Sequence, residues 1–359
     1  MSYADVALLA SIGGIATTIF EIPTGAFADM VGRRNAIILS YILYTIAMFS
    51  EAFTSNFYIF AGITIITSLV NSLYSGSLEA LVYDTLKEDG HEGQYDKVIS
   101  KMESSMWLGL LVGATLGGFM YTLWFRLPFI MQGFSALIAA IAAFRLSEPA
   151  IDSVQYKLSD MITQNVQGFK ELFKSANVTL ISLLFITLET GFYISAALLG
   201  ISQATEYGLD ARGISILFAF GYLISAGVSY FYPDIRKHLG TKKILVISVV
   251  MLLSSFIFAQ YVGLLVGSLL IIGRIAASTI SSNTRSVLLN RFITSKNRAT
   301  SLSTLVLLSH IPYTIGAYAI GVYIEKNSAN GFAFILGIFL AIMLTLLSLL
   351  QYLVKHPQK

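Results

Sequence analysis

Apolar residues run along the chain in eleven long blocks, at about 4–24, 36–52, 57–82, 101–122, 126–146, 178–203, 212–232, 244–259, 261–284, 299–323 and 331–354, divided by short stretches rich in charge or turn formers. A helix of about 20 apolar residues crosses a hydrocarbon core of about 30 Å, and the blocks are close to that length. They are continuous rather than alternating, which excludes a transmembrane β-barrel. The pattern predicts an all-α membrane protein with about eleven transmembrane helices.

Composition points to lipid as the main solvent. Hydrophobic residues make up 55% of the 359 and charged residues 12%, whereas a soluble domain carries about a quarter charged residues. The net charge of +3 gives no support to nucleic-acid binding, and the absence of cysteine excludes disulfides, thiolate chemistry and cysteine-based metal sites. His91, His238, His310 and His356 are too scattered for a metal site, and no nucleotide-binding motif occurs, so neither metal nor cofactor is expected. Asp84, Glu88, Asp89, Glu92 and Asp96 read as a solvated loop.

The placement of charge tells more than its sum. Lys and Arg collect in cytoplasmic loops. Alternate breaks, those holding Arg33/Arg34, Lys87 to Lys101, Arg145 to Lys174, Arg236 to Lys243, Arg291 to Arg298 and Lys355 to Lys359, carry 18 of the 23. The opposite side carries Arg126, Arg212 and Lys326, while Arg274 and Arg285 fall within or at the end of a block. A multi-pass protein of the cell (plasma or inner) membrane with a cytoplasmic C-terminus is expected. The longest break, 147–177, divides a bundle at 1–146 from one at 178–359. Within it Leu158, Met161, Ile162, Val166, Phe169, Leu172 and Phe173 follow helical spacing; an amphipathic helix on the membrane surface and one packed onto the bundle both fit.

Between the first two blocks the sequence reads GAFADMVGRR, Gly25 to Arg34. As local structure this is a tight turn between two helices: Gly25 permits close approach, Gly32 permits φ > 0, and Arg33 and Arg34 hold the loop at the anionic inner leaflet. The string resembles the major facilitator superfamily signature G-x-x-x-D-R/K-x-G-R-R/K, matching at Gly25, Asp29, Gly32, Arg33 and Arg34 and departing at Met30. A fainter copy, DIRKHLGTKK at Asp234 to Lys243, joins two later blocks on the same side. The resemblance implies two parallel six-helix bundles and a monomeric, non-enzymatic transporter working by alternating access. Because the family's signature joins its second and third helices, it also implies that the first helix would precede Met1 and that the eleven blocks are family helices 2–12.

The resemblance further implies that Asp29 sits near a helix N-terminus of the opposite half and stabilises the outward-open state. It makes Asp84 the acidic partner of Arg33, in a charge cluster that breaks during the cycle. The plainer reading is separate, solvated loop charges.

Ionisable residues within a bilayer are costly and face a cavity or a partner. Glu189 and Arg274 lie near the centres of two blocks. With Tyr193, Thr190 and Ser278 they form either a polar patch for protons or a charged substrate, or a buried pair that only holds helices together. Glu79 and Arg285, near cytoplasmic ends, form an inner gate or simply snorkel. His310 titrates or makes a helix contact, and Glu21 lines the pathway or the lipid boundary. Gly109, Gly113, Gly117 and Gly118 follow a G-x-x-x-G packing pattern; it also resembles an antiporter motif of the family, but Ala114 replaces that motif's proline.

The expected function is secondary transport of a small molecule, with proton coupling and export of a hydrophobic or cationic compound suggested by the resemblance alone. Two rivals remain: a non-transporting remnant lacking the first helix, and an integral-membrane enzyme, for which the sequence shows no catalytic constellation.

Overall fold

The structure, a computed structural model, describes residues 1–91, 94–149, 166–289, 292–293 and 298–355. The side chains of Glu21, Gly25, Asp29 and Glu79, and residues 150–165 of the segment joining the two expected bundles, lie outside the described residues. The helices are α1 (Tyr3–Val31), α2 (Arg33–Phe53), α3 (Phe57–Glu88), α4 (Tyr95–Leu123), α5 (Leu127–Ala143), α6 (Ala176–Glu206), α7 (Ala211–Leu239), α8 (Thr241–Ile257), α9 (Leu264–Leu289), α10 (Arg298–Lys326) and α11 (Ala329–Lys355). Each corresponds to one apolar block. Among the described residues nine are long and apolar enough to cross a membrane, and α5 and α8 are shorter, at 17 residues each.

Short polar side chains start several helices by satisfying amide groups that the first turn leaves without partners. Asn56 accepts from the Tyr58 amide, Ser175 from Val178 and Asp210 from Gly213. Several helices outrun their apolar blocks: α3 continues to Glu88, α4 begins at Tyr95 and α7 ends only at Leu239. Backbone hydrogen bonding does not stop at the hydrocarbon boundary, and Arg236, Lys237 and His238 suit the negative end of the α7 dipole.

The turn expected over Gly25–Arg34 is compressed into one residue. α1 is helical through Val31, Gly32 breaks it at φ 92° and ψ 141°, and α2 starts at Arg33. Gly240 does the same between α7 and α8, at φ 77° and ψ 150°. In both, the glycine carbonyl accepts from the amide four residues on, Ala36 and Ile244. The faint sequence copy is thus a close copy in backbone geometry.

The chain forms two compact units. Unit 1 is residue 1 with 8–110 and 119–162; unit 2 is 2–7, 111–118 and 163–359. In unit 1, α2 packs against α3 and α5, burying Ile37 and Ile38 against Leu81 and Ala143. In unit 2, α6 packs against α9, α10 and α11, and α8 against α9 and α11. A short helical stretch at residues 166–172 joins this unit: Leu172 is buried, its carbonyl accepts from Ser182, and Gly168 lies against Thr300.

Of the α4 glycines, Gly109, Gly113 and Gly117 face open space, and Gly118 abuts the Ala211 carbonyl. On α11, Gly337 is also a close contact. A Cβ there would come within 2.9 Å of Phe256 Cβ and 3.1 Å of the Ile257 amide nitrogen. Overpacking of this kind costs about 1–3 kcal/mol, so Gly337→Val is expected to lower the apparent melting temperature of the purified protein by several degrees, while Gly113→Val leaves it nearly unchanged. Equal melting temperatures for the two variants would refute the close α8–α11 packing.

Candidate functional site

The signature loop is clamped from two sides within unit 1. The Arg33 guanidinium donates to the Asp84 carboxylate on α3, with both side chains largely buried. Arg34 donates to the Phe144 carbonyl at the end of α5, 2.9 Å away. Just beyond α5, Glu148 places one carboxylate oxygen 2.8 Å from the Arg33 amide and the other 2.7 Å from the Arg34 amide. A carboxylate across a helix N-terminus satisfies orphan amides and meets the positive end of the helix dipole. Gly32 therefore serves twice: it takes the positive φ, and a Cβ there would lie 3.1 Å from the Glu148 carboxyl carbon. The backbone at Asp29 lies in the last turn of α1.

In unit 2 the candidate charges fall on two levels of the antiparallel helices α6 and α9. Glu189 Oε1 is 3.1 Å from Arg285 and accepts from the buried Ser281 hydroxyl at 3.2 Å. Arg285 also donates to Ser282. Eleven residues away on α9, about three turns, Arg274 is only 1% exposed. It donates to the amide oxygen of Gln203 at 2.9 Å and lies over the Phe256 ring, 4.9 Å from its centroid. Gln203 in turn donates to Asn330 on α11.

The expected alternative of a Glu189–Arg274 pair is therefore corrected: Glu189 pairs with Arg285, while Arg274 takes a neutral amide and an aromatic face. The reason is axial register, since Arg274 stands about 16 Å away from Arg285 along α9. Arg285, expected as half of a gate with Glu79, is engaged by Glu189.

One turn along α6 from Glu189, Tyr193 stacks on His310 of α10 at 3.6 Å between ring centroids and 15° between planes, and meets Tyr313 edge-on at 5.4 Å. Thr190 donates to the Ser309 carbonyl at 2.8 Å. Tyr193, Glu189, Arg285 and His310 thus form one polar and aromatic cluster on α6, α9 and α10. It can hold a charge, release it on protonation, and offer ring faces to a ligand. Sequence reasoning missed Glu148, Gln203, Ser281 and Tyr313. For Gln203 the signal was an amide within an apolar helix; for Glu148 no local signal exists, because its partners are about 115 residues away.

Residues 1–285 match the family model described as Major Facilitator Superfamily. YxaM, an MFS-type transporter of Bacillus subtilis (strain 168), is 24% identical over 229 residues, 61% of this chain and 55% of its own length. The quinolone resistance protein NorA of Staphylococcus aureus (strain Mu50) is 22% identical over 243 residues, 66% of this chain and 59% of NorA. The matches thus span little more than half the length of these curated relatives. The crystal structure of the nucleoside transporter NupG shares the fold, with a TM-score of 0.76 at 14% identity, covering 98% of this chain and 91% of NupG. On the signature loop, the fold and a family match over residues 1–285, the chain belongs to the Major Facilitator Superfamily.

Proposed function

We propose that the chain is a monomeric secondary active transporter of the cell membrane, its C-terminus cytoplasmic, moving a small molecule by alternating access with bundles at 1–146 and 178–359. Transport is coupled to protons through Glu189, and its direction is export. The Glu189–Arg285 pair carries this reading, because it is a largely buried ion pair joining two membrane-spanning helices. An ionised carboxylate there needs its guanidinium and the Ser281 hydroxyl. Protonation neutralises it, weakens the pair and frees Arg285 for another acceptor, so proton uptake and side-chain rearrangement are one event. The Asp84–Arg33 contact is a second pair able to break and re-form in a cycle, with Glu148 holding the loop in place, and Asp29, Gly25, Gly32 and Arg34 complete that motif. Family membership supports transport, and the resistance named for NorA supports export.

The reading is tested in proteoliposomes with a substrate panel that includes a quinolone and a nucleoside. Flux of at least one compound is expected to follow an imposed pH gradient and to stop when an ionophore dissipates it. Glu189→Gln is expected to remove that dependence in protein that still folds and reconstitutes, with a lowered melting temperature because Arg285 loses its buried partner; unaltered gradient-driven flux in this variant would exclude Glu189 as the coupling group. Asp84→Asn is expected to slow flux about ten-fold with little change in substrate affinity, as for an interaction made in only one conformation. A matching loss of affinity would mean that Asp84 acts on binding instead.

A further inference from the structure

Unit 1 carries an open cavity of about 340 Å³. It lies toward the end of the unit remote from the signature loop, since its α2 residues begin at Tyr44, eleven positions and about 16 Å beyond Arg33. Tyr44 and Glu51 line it from α2, Phe60 and Asn71 from α3, and Phe129 and Gln132 from α5. Their spacings put each set on one face of its helix.

The lining carries one formal charge, the Glu51 carboxylate, and no lysine, arginine or histidine. Glu51 is half-buried and has no hydrogen bond or ion pair among the described residues. Gln132 donates its amide hydrogen to the Tyr44 hydroxyl, which leaves its carbonyl oxygen as an acceptor. Phe60 and Phe129 add aromatic walls. A carboxylate without a counterion, neighbouring oxygen acceptors and aromatic rings together favour a positive guest and disfavour an anion. The volume is at the small end of the usual range for ligand cavities, roughly 300–1,000 Å³.

We infer that this cavity binds a small organic cation, its ammonium group set against Glu51 and its apolar part between Phe60 and Phe129. The site lies wholly within unit 1 and does not involve Glu189 or Arg285, so the inference stands apart from the transport reading.

Benzyltrimethylammonium serves as the probe, titrated calorimetrically into the purified full chain in a maltoside detergent. Saturable binding is expected, weakened about ten-fold or more by Glu51→Gln and several-fold by Phe129→Ala, and unchanged by Glu325→Gln, which removes an exposed carboxylate elsewhere. If Glu51→Gln does not fold, Gln132→Leu takes its place with the same expected direction. No saturable binding by the unaltered chain, or equal binding by folded Glu51→Gln, overturns the inference. Repeating the titration in phosphatidylcholine and phosphatidylglycerol nanodiscs assigns the natural source. Competition from phosphatidylcholine alone identifies a lipid headgroup and its absence a free cation, and either result retains the cation site.

Discussion

The Glu189–Arg285 ion pair joins two helices whose other facing side chains are mostly apolar or hydroxyl-bearing, and its position shows what the surrounding solvent demands. A single charge at bilayer depth costs several kcal/mol, and removing one partner of a buried pair costs about 3–5 kcal/mol. Arg274 meets the same demand with Gln203 and the face of Phe256. The backbone meets it by remaining helical through nearly every described segment, because hydrocarbon offers no partner to an open amide or carbonyl.

That demand also explains where the chain bends. Between α1 and α2, and again between α7 and α8, a single glycine reverses direction, so very few backbone groups lose their helical partners. The first of these turns exposes the amides that open α2, and Glu148 accepts from two of them. Arg33 and Arg34 then reach in different directions, to Asp84 and to the Phe144 carbonyl.

Much of this was legible residue by residue. Apolar blocks located eleven helices, because a span's length and hydropathy are properties of one continuous segment. The positive φ expected at Gly32 is found there, and Gly240, at the matching place in the fainter copy, adopts it as well. Two readings went wrong in instructive ways. The turn assigned to Gly25–Arg34 is one residue long, since the polar tail of α1 can remain helical beyond the apolar run. The pairing weighed for Glu189 named the right helix and the wrong arginine. Eleven residues return α9 to nearly the same face, so Arg274 and Arg285 are equivalent by periodicity and differ only in depth.

By itself, the sequence determined the class, the helices, the family resemblance and which residues are too polar for their surroundings. Tertiary structure decided the partners: Arg285 for Glu189, Gln203 for Arg274, Glu148 for the start of α2, and three helices around Glu51. Hydropathy and periodicity vary along one chain, whereas a contact between helices depends on their rotation and axial offset. The π-helical turn at Ser195–Leu199 shifts the rotation of α6 between Glu189 and Gln203. No local pattern encodes such offsets, because they are set by how all the side chains of neighbouring helices fill the space between them.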